Sequence, residues 1–183
     1  MKILKTFLNV LYLSFIQSHS KEVTFFALGA MVAFVFSFPF TIFFIITKSY
    51  VLLAIGLIVM ITELLAAYYR RFFVPSSFIL FTCISVALLF YSSILGRAAN
   101  AYILYFAVFM FSFMVYGRKY LMVFFAYALI AMCCILTLEF TTFSLFQSTY
   151  IAPSFLFSIG SMAIITGLLI LMIIIFLYYK MPF

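Results

Sequence analysis

Charge is the first thing this sequence lacks. Of its 183 residues ten are Lys or Arg, three are Asp or Glu and one is His. A soluble domain carries charge on about a quarter of its residues. With 7% charged and 70% hydrophobic residues, this chain cannot place its groups as a water-solvated domain does, and it belongs in lipid. The shortage of acids and histidine also removes most chemistry. HExxH, GxSG, a Walker lysine loop and paired phosphotransfer aspartates are absent, so metal chemistry, hydrolysis and phosphoryl transfer lack their parts. No lysine lies deep in the final apolar run, only Lys180 at its end, which argues against a retinal Schiff base. The three cysteines, Cys83 and the adjacent Cys133 and Cys134, fall inside apolar runs. They form neither a disulfide framework nor a metal-ligand spacing. The expectation is a protein that is not an enzyme and holds no metal or cofactor.

What is present is apolar and aromatic, with 28 Phe and 13 Tyr. Six runs approach the roughly 20 residues that cross a hydrocarbon core: 23–47, 49–69, 72–95, 99–116, 120–138 and 155–178. Arg70-Arg71 and Arg118-Lys119 bracket the middle pair, which turns at Gly96-Arg97. Most connections are short, so consecutive helices are expected to be antiparallel neighbours. The predicted fold is an all-α polytopic membrane bundle of six transmembrane helices. Ahead of it, residues 1–22 read in two ways. Lys2 and Lys5 before an apolar run, with Ser18-His19-Ser20 after it, imitate a signal peptide. Yet Lys2, Lys5, Thr6, Asn9 and Tyr12 share one side of a helical wheel while Leu4, Phe7, Leu8, Leu11 and Phe15 cover the other, as in an amphipathic interfacial helix. The second reading is preferred.

The net charge of +7 does not imply nucleic acid, because the basic residues sit in short gaps between runs. With a cytoplasmic amino terminus, that side receives Lys2, Lys5, Lys21, Arg70, Arg71, Arg118, Lys119 and Lys180, eight of the ten, and the other receives Lys48 and Arg97. Both termini are therefore expected in the cytoplasm, of a bacterial inner membrane. The stretch from Glu139 to Ser154 would face outward as a lid or mouth.

Small residues mark expected helix-packing faces: Ala27, Ala30 and Ala33 in the first span, Gly160, Ala163 and Gly167 in the last. Pro39 should bend the first span; Pro75, in the first turn of the third, should cost little. His19 and Glu22 read as interfacial polar residues, and Glu139 as an outer helix end or a ligand contact at the mouth.

Glu63 carries more weight. It lies about four residues past the middle of the second span, or about 6 Å from mid-bilayer at ~1.5 Å per residue. A charge near the bilayer centre costs about 2.5 to 3.5 kcal/mol on insertion scales, so such residues face the bundle interior and find partners. Arg70 on the same helical face, or the hydroxyls of Ser77 or Thr82, are the expected partners. Glu63, Arg70 and Glu139 are thus the candidate ligand or ion residues.

The stretch "RFFVPSSFILFTCISVALLFYSSILGRAANAYILYFAVFMFSFMVYGRKYLMVFFAYALIAMCCILTLEF", residues 71–140, resembles the six-span membrane input domains of some bacterial sensor histidine kinases and nucleotide cyclases. The similarity lies in a glycine after the third span, an aromatic-rich fourth, a short basic turn and a fifth ending in Leu-Glu. Such domains normally run on into a coiled coil and an output domain, whereas here Lys180-Met181-Pro182-Phe183 follows the last span. The resemblance implies a sensory or regulatory membrane protein that signals to a separate cytoplasmic partner. In size and topology the chain is also similar to the substrate-capturing subunits of vitamin transporters, whose partner is a transporter module. Lipid is the expected environment under either reading, and a second copy of the chain is a further expected partner.

Overall fold

The computed structural model describes residues 21–96, 101–117, 119–142 and, between 161 and 179, residues 161, 164–170, 172, 173, 175, 176 and 179. The expected interfacial helix before residue 21 lies outside them, as do the 143–160 loop, Arg97, Arg118, Gly160, Ala163 and Lys180. All the regular structure among the described residues is helical. Helix α1 is Lys21–Ile46, α2 Tyr50–Tyr68, α3 Phe73–Leu95, α4 Leu104–Tyr116 and α5 Leu121–Phe140. Single 3-10 turns, Arg70–Phe72 and Ala101–Ile103, lead into α3 and α4. Four of these segments are long and apolar enough to cross a membrane: Glu22–Ile46, Tyr50–Tyr68, Arg70–Leu95 and Leu121–Phe140. The helical segment Ala101–Tyr116 is apolar but shorter. Residues 164–170 are helical as well. Helix α1 continues through Pro39.

Side-chain contacts fix the helix directions. Ser37 meets Glu63 and Thr41 meets Met60, so α1 and α2 run antiparallel across the turn at Thr47 to Ser49. Cys83 meets Thr62 and Tyr91 meets Leu52, which makes α2 and α3 antiparallel. Phe73 packs on Tyr120 and Phe81 on Tyr127, so α3 and α5 are parallel.

Without water there is little hydrophobic force between helices, and close packing with directed polar contacts must hold them. Phe81 supplies much of the packing. It is fully buried, and its ring meets Phe26 at 6.3 Å, Phe111 at 5.4 Å, Tyr116 at 5.7 Å and Tyr127 at 5.4 Å between centroids. The first three are edge-to-face, the geometry that ring quadrupoles favour. Beside it the Tyr127 hydroxyl lies 3.1 Å from Ser85 Oγ, and the Tyr105 hydroxyl donates to the Ser85 carbonyl at 2.6 Å. Ser85 thereby ties α3 to both α4 and α5. Large apolar side chains such as Ile46, Tyr50, Met122, Phe125 and Phe140 point outward, as lipid-facing surfaces do.

Two helices end on glycines held at positive φ. Gly96 has φ 77° and ψ 174°, Gly117 φ 49° and ψ −149°. Their amides donate to Ser92 O at 3.0 Å and Phe113 O at 2.9 Å, satisfying carbonyls the helix ends leave open. The Gly96 conformation is accessible essentially to glycine alone. Gly96→Ala should therefore lower the unfolding free energy of the purified protein in detergent by about 1–3 kcal/mol, measured by denaturant titration; an unchanged midpoint would show that the turn relaxes.

Candidate functional site

Helix α2 turns one stripe inward: Leu52, Gly56, Val59, Met60, Glu63, Ala66 and Ala67 are its buried residues. The spacing of three and four places them on one face. Glu63 belongs to this stripe and is 2% exposed. Its neighbours there are small or flexible, so α1 and α3 come close on either side.

The partner of the carboxylate comes from α1. Ser37 Oγ lies 3.2 Å from Glu63 Oε1 and 3.1 Å from Oε2, and 3.1 Å from the Ala33 carbonyl. The Ser37 hydroxyl thus stands among three oxygens. Four residues on, Thr41 donates its hydroxyl toward the Ser37 carbonyl at 3.0 Å and Met60 Sδ at 3.1 Å. The hydrogen bonds of Glu63 go to Ser37, not to Arg70, Ser77 or Thr82. Arg70 stands in the 3-10 turn beyond the end of α2, the Ser77 hydroxyl donates to Val74 O within α3, and the Thr82 hydroxyl is buried without a hydrogen-bond partner.

Glu63 and Ser37 border a cavity of about 150 Å³. Its walls come from α1, α2, α3, the Ala101 turn, α4, and Thr166 and Ile170 of the carboxy-terminal helical segment. Small residues face one another here: Gly29, Ala33, Gly56, Ala87, Ala101 and Ala107. Where such residues meet without a large neighbour, space remains. Gly29 and Gly56 stand at its tight margins, where a Cβ on Gly29 would fall on the Phe111 ring and one on Gly56 would stand 3.1 Å from the Tyr91 hydroxyl. The rest of the wall is largely aromatic and aliphatic. Among the described residues no Lys, Arg or His lines the cavity, and no group of three or more His, Cys, Asp or Glu forms a metal cluster.

The other residues singled out by sequence fall elsewhere. Arg70 and Glu139 do not line the cavity; Glu139 is exposed near the end of α5. Ala27 and Ala30 are fully buried within the chain, so that part of the stripe serves internal packing, while Ala33 borders the cavity. Gly167 lets the carboxy-terminal helical segment approach α4, where an added Cβ would stand 2.9 Å from Leu104 Cδ2. Ser37 was missed by sequence reasoning. Its signal was a hydroxyl on the partner strand of a tight helical hairpin, at the depth of the one mid-span acid.

The chain matches no family model, no curated protein and no solved structure.

A buried acid served by one shared hydroxyl contributes little to stability and is costly to desolvate. Glu63→Leu should leave the unfolding free energy unchanged or raise it. Ser37→Ala, which strips the acid of its donor, should lower it by about 1–3 kcal/mol. Denaturant titration of both variants in detergent decides the matter: a Glu63→Leu loss as large as that of Ser37→Ala would make the acid a structural tie.

Proposed function

We propose that the chain is a non-enzymatic multi-pass membrane protein acting as a sensory or regulatory subunit. A small molecule with an apolar body occupies the cavity beside Glu63, and occupancy is passed through the last helix to a cytoplasmic partner. One observation carries this reading: the cavity shares its wall between α1 to α4 and Thr166 and Ile170 of the carboxy-terminal helical segment. A molecule held there touches the segment that would carry the signal. Such a molecule shifts the bundle only if it binds one helix arrangement better than another. The similarity of residues 71–140 to six-span input domains supports the same reading. In this proposal six spans cross a bacterial inner membrane with both termini cytoplasmic, on the strength of the eight-to-two division of basic residues.

The competing reading is a substrate-capturing transporter subunit. It would use a small-residue face to dock on its module, but Ala27 and Ala30 are covered inside the chain.

A reporter output domain fused after Lys180 tests the sensory reading. Ala87 is buried in the cavity wall, so Ala87→Phe fills the space a ligand would take. Reporter output in native membranes should differ between the wild type and Ala87→Phe by about fivefold or more, the usual scale of coupling between sites. Equal output across both proteins and across lipid conditions would sink the proposal. Single cysteines at Arg118 and Gln147, with native cysteines replaced, test the orientation. Position 147 should react with an impermeant maleimide from outside and 118 only after permeabilisation; the reverse pattern would overturn it.

A further inference from the structure

We infer that the molecule the cavity takes is a compact organic cation: an ammonium group on a single-ring or branched-alkyl body, with its charge against Glu63. This rests on the ligand-binding reading above and supplies the chemical class of the ligand. Three features of the site converge on it.

The first is an imbalance of donors and acceptors. Ionised, as it would be beside a bound cation, the Glu63 carboxylate offers about four lone-pair sites, and here they face one Ser37 hydroxyl that is also within reach of the Ala33 carbonyl. Neither Thr41 nor Tyr91 makes up the deficit: the Thr41 hydroxyl is directed to the Ser37 carbonyl and Met60 Sδ, and the Tyr91 hydroxyl to the Leu52 carbonyl at 3.5 Å. An ammonium brings three donors and no acceptor. A neutral alcohol would bring one donor and leave the charge unbalanced.

The second is the sign of the wall. Glu63 is the acidic residue of the cavity wall, and among the described residues no Lys, Arg or His lines it. A cation bound in this space would hold the carboxylate in its ionised form, and in apolar surroundings the attraction between the two is strong. An anion would meet repulsion.

The third is the aromatic lining. Phe36, Phe40, Phe44, Phe81, Phe111 and Tyr91 all border the space. Phe44 and Tyr91 stack at 5.5 Å, while Phe81 and Phe111 meet edge to face at 5.4 Å. Ring faces attract cations, most strongly when water is excluded. The size limits the body of the ligand: a cavity of about 150 Å³ is of the order that admits one benzene ring.

The test uses two probes of one shape, 4-fluorobenzylammonium and its neutral isostere 1-ethyl-4-fluorobenzene, in which a methyl group replaces the ammonium. Each is titrated by 19F NMR into the full chain in phosphatidylcholine nanodiscs, with empty nanodiscs subtracted for partitioning into lipid. The wild type should bind the cation about tenfold or more tightly than the isostere, as a charge-assisted contact implies. Glu63→Gln should abolish that preference while leaving binding of the isostere within about twofold, and Glu63→Asp should retain part of it. Ala87→Phe should bind neither probe. If the wild type binds the isostere as well as the cation, or Glu63→Gln leaves the preference intact, the cationic assignment is overturned and the cavity still stands as a ligand site. If neither probe distinguishes the wild type from Ala87→Phe, both fall.

Discussion

Polar groups inside this bundle depend on the chain itself for partners, on their own helix or a neighbouring one, because the chain has almost no charge to offer and lipid supplies no hydrogen bonds. The contact between Glu63 on α2 and Ser37 on α1 is the sharpest case of that constraint. It sets the facing of two helices at once. With Ser37 turned toward Glu63, Thr41 falls opposite Met60, and Phe44 at the far end of the hairpin closes with Leu52, Ile94 and Leu95 into a small core of its own. Rotating α1 by one residue would leave the acid with no donor and carry the Phe44 ring out of that cluster.

The cavity follows from the same geometry. In α1 and α2 small residues bring backbones together, which is how membrane helices gain contact. Where Ala30 joins the core of large aromatic residues the result is solid packing. Where Ala33, Gly56, Ala87 and Ala107 line the same space, the volume stays open. A void forfeits dispersion contacts, and an acid served by one shared hydroxyl forfeits solvation. Finding both at one place is the reason to read the site as functional, since each alone is common in bundles.

Much of the helical architecture was legible from hydropathy. Four of the apolar runs carry helices long enough to cross a membrane, with bounds within a few residues of the runs themselves, because the length of an apolar stretch and the helix it forms are set by the same hydrocarbon thickness; the run 99–116 carries a shorter helix that begins at Leu104. Glu63 stood out for the same reason, as an acid where none is affordable. Its partner did not stand out. Arg70 lies on the same helix and invited an intrahelical pairing, yet that residue sits past the helix end in a 3-10 turn. The choice of Ser37 depends on the register across the three-residue turn at Lys48, whose φ of 52° is not encoded by a glycine. A cavity is harder still to read, since it depends on which small residues of five segments face one another, and no periodicity within a single helix carries that information.

The location of the opening in the fold bears on how such a protein would work. Helices α1 and α2 hold the acid and its hydroxyl, whereas the opposite walls belong to α3, α4 and the carboxy-terminal helical segment, which line the space with apolar residues apart from Tyr91 and Thr166. An occupant anchored at Glu63 would therefore be fixed on one side and press on the other. Packed helices respond to such pressure by shifting between discrete arrangements rather than by yielding smoothly. Among the described walls, α3 is held by the Ser85 ties to Tyr105 and Tyr127, and α4 shares one of them. At Thr166 and Ile170 the helical segment instead approaches α4 where an added Cβ on Gly167 would stand 2.9 Å from Leu104 Cδ2. The proposed passing of occupancy along the chain requires an occupant held through α1 and α2 to move this segment rather than the walls tied by Ser85.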